Sequence, residues 1–351
     1  MFVTPAQEQL ARDTFGGLLA VPPIVDDRVG GAGVGRRALK ALITGVDRPM
    51  ASLVQQHGVE VMFEHARFFG ARFPVPVLAW LPDFQHHYLP QLFSTAAWWK
   101  REIGFRAQTG GRRQVMLSSL TAKADCERFY PASRGRTHAA RFVAEVDLAA
   151  VRARAETVRA SYDLPDRFVY VPNHFWAHKN HAVLIKALHI LQRRGEGLPL
   201  VALSGPTVDP RDPGLFERSL QGVADLGLSA SFRHLGLIPY ADVLALNAVA
   251  AVVINPSLFE GWATSVEEAK SLGTALILSD ISVHREQAPE AAFFDPASAE
   301  ALADHLARSG LSRAAPRAPD AELLAASDLR GQAFLAQFLA VAQAAAERGI
   351  Q

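Results

Sequence analysis

One cysteine, Cys126, stands among 351 residues, so no disulfide can form within the chain and a cysteine-held metal cluster is excluded. Charge of neither sign is in excess. The 36 Lys and Arg against 35 Asp and Glu leave a net +1, which gives no hint of a nucleic-acid partner, and basic pairs such as Arg36-Arg37 and Arg193-Arg194 are short enough to be solvated faces. No apolar run approaches the roughly 20 residues that span a bilayer. The segment Leu18–Val25 is short and broken by Pro22 and Pro23, so no secretory leader is expected and a cytoplasmic protein is the natural reading. Internal repeats are missing as well. So is a Gly-x-Gly-x-x-Gly turn behind a strand: Gly30–Gly35 follows Asp26-Asp27-Arg28 and reads as a flexible turn, which argues against a nicotinamide-dependent oxidoreductase.

What is present is an ordinary globular composition, 49% hydrophobic and 20% charged, in a chain too long for one comfortable core. Strand-like runs at 168–171, 198–205 with its exit turn, 232–237, 249–254 and 275–278 alternate with helical stretches, which predicts an α/β fold with a parallel sheet and right-handed crossovers. After the run Val249–Ile254, Pro256 and Ser257 end a strand and the segment Asn255–Gly273 enters a polar turn and a helix. That turn lies at the carboxyl edge of a sheet, where open α/β folds bind ligands and a helix start offers free N–H groups to phosphate.

Two acidic residues mark this segment. Glu260 lies in a Phe-Glu-Gly-Trp turn with no helix of its own to cap, and its carboxylate can accept from ligand hydroxyls; Gly261 permits close backbone approach. Glu268 has two readings, ligand contact or capping box with Ser265, and Thr264 with Glu267 forms a second such box. Lys179 falls between strand FVYV and the amphipathic helix from His181, a position suited to a phosphate. In the amino half, Pro74–Leu81 supplies a strand, and Asp83, Gln85, His86 and His87 follow among aromatic rings. A metal site is not expected there, because no third ligand shows recognisable spacing. Gln114–Arg128 adds a strand whose end carries Ser118 and Ser119, with the serines or Thr121 as caps of the next helix.

Glu260 and Glu268 with seven residues between, the Lys179-Asn180 pair and the run Trp-Leu-Pro-Asp-Phe-Gln-His at 80–86 together resemble the retaining glycosyltransferases of family 4, and the last run a bacterial mannosyltransferase-like subgroup. The resemblance covers about Leu39 to Leu306. It implies the GT-B fold, two Rossmann-like doubly wound domains facing a cleft, and transfer of a sugar from a UDP- or GDP-linked donor to an acceptor hydroxyl with retention. By resemblance Glu260 faces the donor sugar, Glu268 binds ribose, and the N–H groups of Ala263, Thr264 and Ser265 face the diphosphate. Lys179 matches one of the family's two diphosphate-binding basic residues; His174 stands where the other is usually arginine, and its charge is only partial near neutral pH. Asp83 and His86 fall where the amino domain approaches the reacting sugar, and Asp280, His284 and Glu286 are second-rank pocket residues. The family implies no metal and no cofactor beyond the donor, a glycan or glycolipid acceptor in polysaccharide or glycoconjugate synthesis, and allows peripheral membrane association. A non-catalytic nucleotide-sugar-binding protein is the alternative.

Domain boundaries follow. Leu164-Pro165-Asp166 interrupts the helix Val151–Tyr162, so an amino domain over 1–163, a carboxyl domain over 164–311, and a loop and helix over 312–351 are expected. The last helix shows an apolar face of Phe334, Leu335, Phe338, Leu339 and Val341. Family members open with a strand, a glycine-rich loop and a long helix, whereas this chain opens on Met1-Phe2-Val3-Thr4-Pro5; the expectation is an amino domain shortened at its start.

Overall fold

The computed structural model describes residues 1–351 apart from 16, 18, 31, 32, 66, 309–317, 350 and 351. The amino half runs β1 (Phe2–Val3), α1 (Glu8–Phe15), β2 (Ile24–Val25), α2 (Val34–Thr44), α3 (Arg48–Gln56), β3 (Met62–His65) and β4 (Val77–Leu81). It continues through α4 (Gln85–Tyr88), α5 (Thr95–Thr109), β5 (Gln114–Leu117), α6 (Leu120–Phe129) and β6 (Thr137–Ala139) to α7 (Leu148–Ser161). The carboxyl half alternates β7 (Val169–Val171), α8 (His181–Arg193), β8 (Val201–Leu203), α9 (Leu215–Asp225), β9 (Phe232–His234), α10 (Tyr240–Val249) and β10 (Val252–Asn255). It closes with α11 (Thr264–Leu272), β11 (Leu276–Ser279), α12 (Ser282–Gln287), β12 (Ala292–Phe294), α13 (Ala299–Arg308) and α14 (Asp320–Gly349).

The carboxyl sheet is parallel with order β12-β11-β10-β7-β8-β9. Its winding reverses between β7 and β10, and the loops leaving those two strands therefore diverge and open a crevice at their carboxyl ends. Strand periodicity fills both faces. Val169, Val171, Val252 and Ile254 point into one core with α8, α9 and α13, while Phe168, Tyr170 and Val253 point into the other with α10 and α11, as the period of two requires. The apolar run Val249–Ile254 is shared between elements: Val249 ends α10 and the strand begins at Val252. Leu148, Val151, Ala155 and Val158 of α7, on the amino side of the expected boundary at 163/164, are buried in this second core, so by packing α7 goes with the carboxyl domain.

The amino domain has a four-stranded parallel sheet, β3-β4-β5-β6, and β1 pairs separately with β2, also in parallel. The opening Phe2–Val3 is thus a strand of its own. The glycine-rich stretch is not a free turn: Gly33 is the N-cap of α2 and Gly35 lies inside that helix, while residues 31 and 32 fall outside the described residues. Helix α14 crosses back to the amino sheet, where Val341 and Ala345 pack with Leu78, Met116 and Ala140. Leu335 and Leu339, expected on its apolar face, are instead 56% and 49% exposed. Most of the loop expected at Ser312–Asp320 lies outside the described residues. No described helix is long and apolar enough to cross a membrane.

Candidate functional site

A cleft of about 400 Å³ opens at the β7/β10 reversal. From the β7 side it is lined by Asn173, His174, Trp176 and Lys179, and from the β10 side by Glu260, Trp262 and the start of α11 through Glu268. Ser204, Gly205 and Pro206 close it behind β8, and Ile238 and Tyr240 behind β9. Gly205 has φ +137° and its position would hold a Cβ only 2.9 Å from the Asn173 carbonyl oxygen, so the absence of a side chain lets the β8 loop pass the β7 loop at the mouth.

Lys179 and Glu260 meet across the reversal, Nζ donating to Oε1 at 2.5 Å. Burial pushes the Glu260 carboxyl up, but the Lys179 ammonium beside it, His284 and the Ser257 hydroxyl outweigh that and hold it at about 2. Ser257 Oγ donates to Glu260 at 2.6 Å. Glu260 is therefore an anion at every pH of interest, already presented to the cleft. Glu268 is the opposite case. It is buried, its one neutral partner is the Tyr240 hydroxyl, and burial raises it to about 7. Tyr240, which begins α10, was not identifiable in the sequence; its only signal is an aromatic residue just behind Ile238-Pro239.

The capping-box reading of Glu268 is overturned. Helix α11 has Ala263 as N-cap with no side-chain cap bond, so Ser265 is the second helical residue and cannot form a box with Glu268. Glu267 instead pairs with Lys270 at 2.8 Å and accepts from Gln287 at 3.0 Å. Without a cap, the first-turn N–H groups look outward. That of Ala263 donates to Gln287 Oε1 at 3.1 Å, which removes it from the expected diphosphate set. Among the described residues, no acceptor meets the Thr264 and Ser265 N–H groups.

Three further expectations are corrected. Gly261 is free of a side chain because the amino domain abuts it: a Cβ there would lie 2.1 Å from the Pro82 carbonyl oxygen. His174 lines the cleft, but burial, then Lys179, lowers its pKa, which makes it a poorer cation for a diphosphate than the arginine it replaces. His86 has no exposed surface. Its ring sits among Phe93, Trp98 and Phe105, its Nε2 lies 3.3 Å from Glu102 Oε2, and burial with the neighbouring His87 pushes it down to about 4. Asp83 lies against the Gly261 turn and is not among the residues that line the cleft; its Oδ1 accepts from Arg101 at 2.6 Å and from the Gln85 N–H at 2.9 Å.

Glu102 is the third polar partner that sequence spacing did not reveal: with His86 and His87 it brings metal-type ligand atoms within 4.8 Å of one another. Its oxygens already accept from Tyr130 at 2.6 Å and Arg106 at 2.6 Å, and His87 Nε2 stands 3.2 Å away. Such a carboxylate is saturated by donors, and the cluster ties α4, α5 and the end of α6 together. Of the second-rank residues, Asp280 pairs with Arg285 at the surface, His284 is buried with Nδ1 2.9 Å from the Ser279 carbonyl oxygen, and Glu286 binds the amino domain.

Residues 156–315 match the profile of the family described as glycosyl transferases group 1, a match that includes every residue lining the cleft. A search of curated proteins found no relative. Among solved structures, the chain is similar to a glycosyltransferase from Rickettsia africae, at 15% identity and TM-score 0.64, covering 99% of this chain and 95% of that one. HepE from Anabaena in complex with UDP and glucose gives 15% identity, 99% and 90% coverage and TM-score 0.64. Sucrose-phosphate synthase from Thermosynechococcus elongatus gives 19%, 84% and 74%, and 0.61. At these identities the likeness establishes the fold, and the fold is GT-B: two Rossmann-like domains facing a cleft.

Proposed function

We propose that the protein transfers a glycosyl group from a UDP- or GDP-linked sugar to an acceptor hydroxyl, with retention and without a metal, in polysaccharide or glycoconjugate synthesis. One observation carries the reading: Lys179, Glu260, Glu268 and the uncapped start of α11 line a single cleft at the switch point of a parallel sheet. The Thr264 and Ser265 N–H groups and Lys179 would receive the diphosphate, Lys179 sharing its charge between the phosphates and Glu260. Glu268, with Tyr240, would accept from ribose hydroxyls. The donor's anomeric carbon–oxygen bond breaks with its electron pair to the diphosphate, whose growing charge is what these donors stabilise. The acceptor oxygen forms the new bond and passes its proton to the departing diphosphate oxygen; Glu260 orients the sugar and Asp83 approaches from the facing domain. That HepE was crystallised with UDP and glucose supports a nucleotide-sugar donor. The reading places the enzyme in the cytoplasm or peripherally on the inner membrane face, with a glycan or glycolipid acceptor.

A screen of UDP- and GDP-linked sugars tests this by thermal stabilisation and nucleotide release, with Lys179→Ala and Glu268→Ala alongside. One donor should both stabilise and release, and each variant should weaken binding by at least about tenfold, the worth of one charge-assisted contact. Binding without release would leave a non-catalytic nucleotide-sugar-binding protein, and no binding by wild type would sink the transferase reading.

A further inference from the structure

Glu286 leaves α12 of the carboxyl domain and ends on the amino domain. Its Oε1 accepts the Leu120 N–H at 2.8 Å, and its Oε2 accepts the Thr121 N–H and hydroxyl, each at 2.9 Å. Arg141 Nε completes the set at 2.8 Å from Oε1. These are the first residues of α6, and Ser119 Oγ already caps the Ala122 N–H. The start of α6 is thus fully satisfied only while a carboxylate from the other domain sits on it. Four donors on one anion, a guanidinium among them, make a strong contact, and the Glu286 side chain is only 12% exposed. Arg141 is in turn fixed through its own N–H by Gln337 of α14, at 3.0 Å. Elsewhere along the domain contact, Trp262 Nε1 donates to the Phe142 carbonyl at 2.9 Å and Arg211 to Gln85 at 3.0 Å. Neither of those contacts unites two charged groups across the domains, as Glu286 and Arg141 do.

We infer that Glu286 is a closure latch, a positioning residue that takes no part in bond making and sets the fraction of molecules in which the two domains are shut. The inference rests on the proposed transfer only where closure is linked to turnover. Every residue lining the donor cleft belongs to the carboxyl half, so the latch separates two quantities that a damaged site would lose together. Releasing it should leave nucleotide affinity in place and lower the rate of the step that needs the facing domain.

The test compares wild type with Glu286→Ala and Glu286→Gln by small-angle scattering and by calorimetric titration with UDP and with GDP. The expected result is a larger radius of gyration in both variants, a nucleotide Kd within about threefold of wild type, and turnover lower by at least about tenfold. Glu286→Asp, which keeps the charge on a shorter arm, should recover part of the turnover. Should Glu286→Ala not fold, Thr121→Ala and Arg141→Ala remove donors from the other side and should shift scattering in the same direction. Scattering profiles that superimpose on wild type would overturn the latch, as would a nucleotide affinity that falls in step with turnover. If neither nucleotide binds wild type, the donor reading falls, and the scattering comparison still decides the latch.

Discussion

The two glutamates of the cleft differ in the partners that their burial leaves them. Glu260 meets an ammonium at 2.5 Å; Glu268 meets a phenol and rises to about 7 from an ordinary 4.5. The sign of the consequence follows from proton counting. Between pH 4.5 and 7 the unfolded chain has released the Glu268 proton while the folded protein keeps it, so the native state binds more protons and stability falls as pH rises through that window. The cost, complete above pH 7, is on the order of 3 kcal/mol. Glu268→Gln should therefore lie near wild type in stability at pH 5 and gain on it by pH 8, read by thermal unfolding across that range; parallel pH profiles would show that Glu268 is not a raised carboxyl. Sequence made Lys179, Glu260 and Glu268 legible because each stands in a short motif at a strand end. Tyr240 was not legible, since only the fold brings the start of α10 against α11, and His86 misled because proximity in sequence to Asp83 says nothing of which side of the strand end a side chain takes.

Elements show where local pattern is enough and where it fails. The strands behind the cleft were readable from their apolar runs, and α8 from its spacing. The β10–α11 turn was readable only as a turn. Its glycine looked like room for a ligand, and its Ser-x-x-Glu spacing looked like a cap; both readings lost to facts fixed by other parts of the chain, the Pro82 carbonyl and the helix start at Thr264. Because the neighbour of Gly261 is backbone, it cannot rotate away as a side chain would. Gly261→Ala should force the turn and Pro82 apart, destabilising the fold by an overpacking cost of roughly 1–3 kcal/mol and so lowering the unfolding midpoint. Turnover should fall further than nucleotide binding, since what Gly261 meets is the facing domain at Pro82. An unchanged midpoint and rate would mean that the contact with Pro82 opens freely.

At the scale of the whole molecule, the domains are joined by the chain crossing between them, by the contacts around the cleft rim, and by α14. That helix touches both halves: Arg330 donates to Ser271 of α11 at 3.0 Å, and Val341, 2% exposed, lies against Leu78 and Met116 of the amino sheet. Periodicity marked α14 as amphipathic, yet which of its apolar residues would be covered depended on a sheet more than 200 positions earlier, and Leu335 and Leu339 stayed in solvent. The arrangement predicts that α14 couples the unfolding of the two domains. Val341→Asp sets a carboxylate against the amino sheet with no partner, an arrangement that costs several kcal/mol unless the helix lifts off. The expected outcome is that a single thermal transition in wild type divides into two in the variant, the amino domain melting first. Nucleotide should still raise the second transition, because the cleft proposed to bind it lies in the domain that remains folded. A single transition at the wild-type midpoint would place the coupling in the cleft-rim contacts and leave α14 a passive cover.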